Sequence, residues 1–298
     1  MTRRYPMIKI KNGERHYRKL TVSQKNQHYI LMTTFLLLVF TGFPLKFHYY
    51  DWAEPTIRLF GGLASTRLIH RVAGVIMVGL FFYHWYYLFK NLFRLYIIPA
   101  KKTSNFSIKE MIQFIYYSPT FPRLKDIKDF LDFVKFALFI TDQRPKHERF
   151  YWREKFDYWA VFWGIPVLGL TGLFLWFPEE TAMFLPGWAV NIGYIAHSDE
   201  AMLAVSVIFV WHMYNAHVNY DKFPASPLFI TGYLPEHIMK HEYYLEWERM
   251  NCIAEKDPSQ IVDLDKMKEA EQFTNEQKVK MVRDQIEFLK SKQFGSDE

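Results

Sequence analysis

Histidine is the residue type that this sequence places most unusually. The chain has 11 histidines, and six of them lie within or beside long apolar stretches, at His28, His70, His84, His197, His212 and His217. Ionisable side chains at hydrocarbon depth cost free energy and are normally functional. The set therefore indicates a functional site and not a scatter of core histidines.

The spacing of these histidines is helical. His70 and His84 are 14 residues apart, which at 100° per residue returns them to nearly the same helix face and separates them by about 21 Å along the axis. His197 and His212, 15 residues apart, behave almost alike. Each of the two helices is thus predicted to carry two imidazoles, one near the outer membrane surface and one near the inner.

The rest of the composition narrows the chemistry to histidine. Cys252 is the only cysteine, which excludes disulfides, iron–sulfur clusters, thiolate zinc sites and covalently attached haem. The sequence has no P-loop, no glycine-rich dinucleotide turn and no HExxH motif. Because six-coordinate electron-transfer haem takes two imidazoles from opposing helices, haem b ligation is the predicted chemistry. Histidines that relay protons in a transporter are the alternative.

Four apolar stretches must position these histidines. They cover residues 28–47, 68–89, 156–177 and 190–214, each about the 20 residues that a helix needs to cross hydrocarbon. Small residues within them leave room for a flat macrocycle between helices, namely Gly42, Ala73, Gly74, Gly169 and Gly172. The predicted fold is an all-α integral membrane protein, a four-transmembrane-helix bundle with haems between the helices.

The positive charges predict the orientation. Residues 1–27 hold eight lysines and arginines, residues 91–155 hold thirteen and the chain after His217 holds eleven, whereas residues 177–196 hold none. By the positive-inside tendency, both termini and the central loop are expected in the cytoplasm. The expected location of the chain is the inner membrane of a bacterial cell. The first apolar stretch lacks a small-residue cleavage site and is expected to be a retained span.

The charged segments suggest three domains. Residues 1–27 form a basic arm that serves as a topology signal and meets anionic lipid, residues 28–217 form the haem-binding domain, and residues 218–298 form a cytoplasmic tail. Within loop 91–155, residues 107–117 and 124–140 alternate apolar and charged residues at helical spacing, which predicts amphipathic interfacial helices. The tail from residue 236 onward is predicted to be helical.

Several short motifs resemble a known superfamily over roughly residues 20–220. They are His28-Tyr29 followed by Thr41-Gly42, then Ile69 to Gly74, Leu170-Thr171-Gly172 through Trp176, and His197 followed by His212-Met213-Tyr214. Together they resemble the membrane cytochrome b subunits of formate dehydrogenase, nickel–iron hydrogenase and thiosulfate reductase, with the small bacterial dihaem cytochromes b.

The resemblance implies two haems b and their ligands. It implies an outer haem between His70 and His197 and an inner haem between His28 and His212. The spacing of His197 and His212 is one residue longer than the resemblance leads us to expect, which a helix irregularity would absorb. His84 is an additional candidate, and its pairing with His212, as in cytochromes of the bc type, stays open.

The resemblance also implies partners. They are a quinone, either menaquinone or ubiquinone, near the inner haem and a redox subunit at the periplasmic side. Residues 217–248 are similar to the tail of relatives that have a multihaem c-type cytochrome as partner, so that subunit is expected to be such a cytochrome, or else an iron–sulfur, molybdoenzyme or hydrogenase subunit. Arg71 either pairs with a haem propionate or snorkels to the interface. His217 either contacts quinone or a propionate, or is interfacial. Membrane lipid is an expected partner and nucleic acid is not.

The resulting hypothesis is an electron-transfer subunit of a respiratory complex that connects the quinone pool to the outer partner. The chain carries no substrate-oxidising centre, so the catalytic reaction is expected to belong to the complex. One alternative is a free-standing quinone-linked reductase or oxidase of small molecules such as superoxide or ferric iron. A proton transporter or scaffold is the non-redox alternative.

Overall fold

The computed structural model describes residues 6–11, 13–219, 222–223, 225–256 and 261–263, and isolated positions between 276 and 290. The chain divides into two compact units. We call Met1–Val22, Tyr86–Tyr158 and Pro227–Glu298 the sheet unit, and Ser23–Trp85 with Trp159–Ser226 the histidine unit. Outside the described residues lie positions 1–5 of the predicted basic arm and most of the predicted helical tail beyond 263.

Four long helices confirm the predicted all-α membrane fold. Among the described residues, the helices long and apolar enough to cross a membrane are Val22–Lys46, Leu63–Lys102, Trp152–Trp176 and Trp188–Val218. The first is α1 and the third is α7; α3 is the α-helical part Leu63–Leu92 of the second, and α9 is the part Trp188–Ser206 of the fourth. Each helix begins a few residues before its apolar stretch, because backbone hydrogen bonding, and not hydropathy, determines the first and last residues of a helix.

The surfaces of these helices suit lipid. In the first three, only 17% of the most apolar window is buried within the chain, and in the fourth only 6%. Leu68, Val75 and Val210 are 61%, 57% and 74% exposed. Apolar area on this scale is unfavourable in water and favourable in hydrocarbon, so the chain is a membrane protein.

The fourth helix changes its pitch where the histidine spacing is irregular. After α9 the chain forms π-helical turns over Val207–His212 and again over Tyr214–Val218. A π turn accommodates an additional residue within a continuous helix, and such turns are frequent at functional sites. The first of these turns falls within the interval between His197 and His212, so the expected helix irregularity is present.

Shorter helices connect and flank the long ones. They are α2 Ala53–Leu59, α4 Ile98–Lys102 after a π turn at Phe93–Ile97, α5 Ile108–Tyr116, α6 Leu124–Ala137, α8 Pro178–Phe184 and α10 Leu228–Thr231. The two amphipathic helices are confirmed as helices, with slightly shorter bounds than predicted. In α6 the apolar side chains of Leu124, Ile127 and Leu131 are exposed, while Asp129 is buried against Lys125.

The basic arm and the tail also build a small sheet, which the sequence analysis missed. Its strands are β1 Ile8–Lys11, β2 Glu14–Arg18, β3 Tyr233–Pro235 and β4 Ile261–Asp263, in the order β3-β2-β1-β4. The hairpin of β1 and β2 is antiparallel, and its turn contains Gly13 at a φ of +79° that suits glycine. The tail helices α11 Glu236–Glu242 and α12 Tyr244–Lys256 confirm the predicted helical tail up to residue 256, whereas Ile261–Asp263 form a strand and not the predicted helix, because they pair with β1.

Buried aromatic and charged groups hold the sheet unit together. Tyr17 and Tyr243 are almost fully buried, and Lys19 Nζ lies 2.5 Å from Glu154 Oε1 and 3.2 Å from the ring centre of Tyr243. Burial acts to raise the pKa of Glu246, but Arg249 and Arg149 outweigh it, so that pKa lies below its ordinary value. Such a carboxylate stays ionised inside the unit because both cations bond to it.

Candidate haem-binding site

The histidine unit brings four of the predicted histidines together as two pairs. His70 of α3 and His197 of α9 have their ring centres 6.3 Å apart, with ring planes inclined by 65°. His28 of α1 and His212, at the end of the first π turn, have the same separation and an inclination of 40°. We call them the outer pair and the inner pair. The members of the two pairs on the fourth long helix, His197 and His212, are 15 residues apart, or roughly 22 Å at the α-helical rise.

The separation within each pair suits one metal ion between two imidazoles. An imidazole–metal bond is about 2 Å long and the ring nitrogen lies about 1.1 Å from the ring centre, so two rings on opposite sides of one ion have centres about 6 Å apart. A direct hydrogen bond between ring nitrogens would bring the centres to about 5 Å. Both pairs, at 6.3 Å, fit the first arrangement.

Haem needs only two protein ligands, which agrees with the rest of the metal inventory. Among the residues that the structure describes, no group of three or more histidine, cysteine or acidic side chains could hold a metal ion. Cys252 is a free, exposed cysteine. The donor set is therefore a pair of neutral nitrogen ligands at each level, as haem iron uses in electron-transfer cytochromes.

A threonine holds each imidazole of the outer pair. Thr41 Oγ1 of α1 lies 2.9 Å from His70 Nδ1, and Thr171 Oγ1 of α7 lies 3.1 Å from His197 Nδ1. Each hydroxyl donates its own proton to a carbonyl one turn earlier, that of Leu37 or Val167. Each threonine oxygen therefore accepts from Nδ1–H, which leaves Nε2 unprotonated and available to a metal ion.

A glycine follows each of these threonines and makes room for the imidazole. A Cβ added to Gly42 would lie 3.0 Å from His70 Cε1, and one added to Gly172 would lie 3.3 Å from His197 Cε1. Both distances are shorter than ordinary van der Waals contact between carbon atoms. Thr-Gly therefore acts as one structural element that supplies an acceptor and a slot for the ring edge.

The two threonine sites repeat one arrangement. His197 Nδ1 also lies 3.1 Å from the carbonyl oxygen of Leu168, three residues before Thr171. Leu38 has the corresponding position in α1, three residues before Thr41. The helix pair α1 and α3 thus repeats the contacts of the pair α7 and α9. The Thr-Gly element of α1 thus positions His70, and that of α7 positions His197.

The inner pair has different surroundings. In the part of the chain that the structure describes, the ring of His28 contacts His212 and makes no side-chain hydrogen bond. His217 has its ring centre 6.3 Å from that of His212, at an angle of 82°. The buried Asn215 lies between them in sequence, and Lys222 Nζ donates to its carbonyl oxygen at 3.1 Å. Protonatable and polar groups thus collect around the inner pair.

His84 contacts a polar partner on α1. Its Nδ1 lies 2.7 Å from Gln27 Oε1, and Gln27 Nε2 in turn donates to Ser23 Oγ at 3.0 Å. Because an amide oxygen only accepts hydrogen bonds, Nδ1 of His84 is the donor. The structure therefore connects His84 of α3 to two polar side chains in the first turns of α1, and one of these, Gln27, precedes His28 directly in the sequence.

Three charged side chains lie near the residues of the outer pair in the sequence or at the adjoining helix end. The guanidinium of Arg71 lies 5.0 Å from the ring centre of Trp176, which is cation–π geometry. Lys46 Nζ at the end of α1 lies 3.8 Å from Asp199 Oδ1, two residues after His197. Arg71 is thus beside the outer pair as predicted, and its contact with a propionate stays a prediction.

A bundle of four apolar helices that carries paired imidazoles defines a membrane b-type cytochrome, an electron-transfer protein that uses haem b. A comparison with protein families identifies the family within this class. The chain belongs to the prokaryotic cytochrome b561 family, whose model matches residues 25–220. This match confirms the resemblance to the membrane cytochrome b superfamily. A comparison with curated proteins finds no match.

Three side chains of the site had no role in the sequence analysis. Thr41 and Thr171 appeared only as parts of family motifs, and Gln27 did not appear at all. The recurrence of Thr-Gly at 41–42 and 171–172, in two apolar stretches that lack ligand pairs of their own, is the signal that could have found the first two. Gln27 carries no such signal.

Proposed function

We propose that the chain is a dihaem cytochrome b that passes electrons between a membrane quinone and a redox protein at the outer face. His70 and His197 hold the outer haem, and His28 and His212 hold the inner haem. The observation that carries the proposal is that two imidazole pairs, each joining two different helices, have ring centres 6.3 Å apart at different levels of one bundle. His212 and His217 have the same separation but lie on one helix. A proton relay has no need for that repeated separation.

The residues of the chain have distinct tasks in this function. The haems supply reversible one-electron chemistry when bound. The imidazoles fix them at two levels, and the apolar helices keep water away from both. His70 and His197 keep a proton on Nδ1 through Thr41 and Thr171, so that Nε2 stays a ligand.

The quinone site in this proposal lies beside the inner pair. A quinone that accepts two electrons also takes up two protons, so its site needs groups that exchange protons with water. His217 and the polar chain of His84, Gln27 and Ser23 supply such groups near His28 and His212. The quinone is menaquinone or ubiquinone, and its protons exchange with the cytoplasm.

The positive charges support the membrane orientation. With both termini and loop 91–155 in the cytoplasm of a bacterial cell, the outer pair faces the periplasm. The partner is then a periplasmic-side redox subunit, and the resemblance of residues 217–248 favours a multihaem c-type cytochrome.

Haem extraction tests the central claim. Acid-acetone should remove all haem from the purified protein, because none is covalently attached, and a pyridine haemochrome should show b-type haem at about two per chain. One haem per chain would contradict the two-pair assignment. A colourless protein would favour the transporter alternative.

A further inference from the structure

We propose that Thr41 and Thr171 are a matched pair of positioning residues that set the reduction potential of the outer haem. The inference rests on the proposed function and extends it to two side chains outside the iron-ligand set. It concerns the hydrogen bonds on the far side of each outer imidazole, and not the ligands themselves.

The direction of these hydrogen bonds follows from the distances. Thr41 Oγ1 lies 2.5 Å from the carbonyl oxygen of Leu37, and Thr171 Oγ1 lies 2.7 Å from that of Val167. A carbonyl oxygen only accepts, so the hydroxyl protons are committed to the backbone. The hydroxyl oxygens are then acceptors toward His70 and His197.

An acceptor at Nδ1 changes the iron that Nε2 binds. Hydrogen bonding at the remote ring nitrogen fixes the ring orientation and makes the ligating nitrogen more basic. A more basic ligand favours the more highly charged ferric state, so it lowers the reduction potential, and outer-shell hydrogen bonding is one of the protein's means of tuning haem. The effect acts twice at the outer haem, since both of its ligands have a threonine.

The contact between a threonine hydroxyl and an imidazole is specific to Thr41 and is not made by a comparable threonine of the same helix. Thr34 lies on the same face of α1 as Thr41, is buried and donates to the carbonyl of Ile30 at 2.8 Å. Among the described residues, the hydroxyl of Thr34 bonds to backbone carbonyls alone, whereas that of Thr41 also bonds to an imidazole. Thr34 is therefore a matched control with the same burial and the same backbone bond.

The test is a redox titration of the purified protein with Thr41→Val, Thr171→Val and both together. Valine keeps the shape and removes the hydroxyl acceptor, while the backbone carbonyl of Leu168 remains beside His197 Nδ1. The outer haem should shift to a more positive midpoint potential in each single variant and further in the double variant, with both haems retained and the inner haem unmoved. Thr41→Ser and Thr171→Ser should restore the wild-type potential, and Thr34→Val should leave it unchanged.

The outcomes separate the possible failures. An unshifted outer haem in both valine variants overturns the inference, as does an equal shift in the serine variants, which would assign the effect to packing. If valine costs the haem itself, retention of the haem with its wild-type potential in the serine variants supports the hydroxyl's role, and its loss there refutes it. Fewer than two haems in the unmodified protein would instead refute the proposed function.

Discussion

The outer and inner histidine pairs have the same internal distance and different neighbours. In both, the ring centres are 6.3 Å apart. The outer imidazoles are held by Thr41 and Thr171 and have glycines against their edges. The inner pair lies among His217, Asn215 and the chain from Ser23 to His84, where α9 has passed into π turns.

The difference indicates two tasks for one kind of ligand pair. Imidazoles fixed by hydrogen bonds in regular helices suit electron transfer alone, because the ligand geometry then stays constant. Protonatable side chains and π turns are features of sites where a substrate binds and protons move. The proposed quinone site at the inner pair and the proposed redox partner at the outer pair are consistent with this difference.

Removal of an axial imidazole is the largest expected perturbation. His70→Ala or His197→Ala should remove the outer haem, and His28→Ala or His212→Ala the inner haem, each lowering the content from about two haems to about one. Pyridine haemochrome assay with optical redox titration measures which haem is lost.

The control for this series is His237→Ala, which changes an exposed histidine of the sheet unit. It should leave both haems in place. Loss of both haems from any single axial variant would show that the pairs are not independent sites.

The glycine slots offer a smaller perturbation that should affect only the outer pair. In Gly42→Val or Gly172→Val, the new side chain would displace His70 or His197, since even a Cβ there would lie 3.0 or 3.3 Å from the ring. We expect weaker retention of the outer haem and a disturbed low-spin signal in electron paramagnetic resonance, with a normal inner haem.

Gly79→Ala serves as the comparison for those variants. Its Cβ would meet nothing within 4 Å, and its position on α3 is about 180° around the helix from His70. The change should leave both haems unaltered and the helix slightly more stable, by up to ~1 kcal/mol. An equal loss of both haems in Gly42→Val would contradict a slot specific to the outer pair.

The fold was predictable wherever local pattern decides it. Apolar length predicted the four membrane helices, and the helical alternation of apolar and charged residues predicted α5 and α6. The alternation of Ile8, Lys9, Ile10 and Lys11 also has the period of a strand, but the charges drew the interpretation toward a topology signal. Strands β3 and β4 could not be predicted, because three residues form a strand only through partners that are distant in sequence.

The site was predictable in composition and not in detail. Helical spacing selects the histidines, yet it puts His28 and His84 at one depth and does not choose between them. The pairing came from the resemblance. Thr41, Thr171 and Gln27 are neighbours of the histidines through contacts between helices, and one sequence contains no periodicity that reports such contacts.

A quinone analogue should perturb one haem and leave the other. If the quinone site lies beside His28, His212 and His217, an inhibitor of quinone type should shift the optical spectrum of the inner haem by a small amount and leave the outer spectrum unchanged. Difference spectra of the reduced protein with and without the inhibitor measure this. A shift confined to the outer haem would reverse the assignment of the two ends.

The smallest expected effect concerns His84, whose Nδ1 hydrogen-bonds to Gln27. If His28 ligates the inner haem, His84→Ala should leave two six-coordinate haems and alter only the reaction with quinone, since it interrupts the polar chain from Ser23. Gln27→Ala breaks the same chain without touching a histidine and should have the same effect. Pyridine haemochrome and electron paramagnetic resonance measure ligation, and the rate of haem reduction by quinol measures the reaction.

The opposite result has a definite structural meaning. If His84→Ala destroys the inner low-spin signal while His28→Ala preserves it, His84 is the ligand, the pairing is of the bc type and the contact between His28 and His212 is not axial. If each of the two variants loses a haem of its own, the chain holds a third haem, because His28 and His84 would then serve different irons. Gln27→Ala keeps both imidazoles, so a haem lost in that variant would show that the hydrogen bond to Gln27 orients His84 as a ligand.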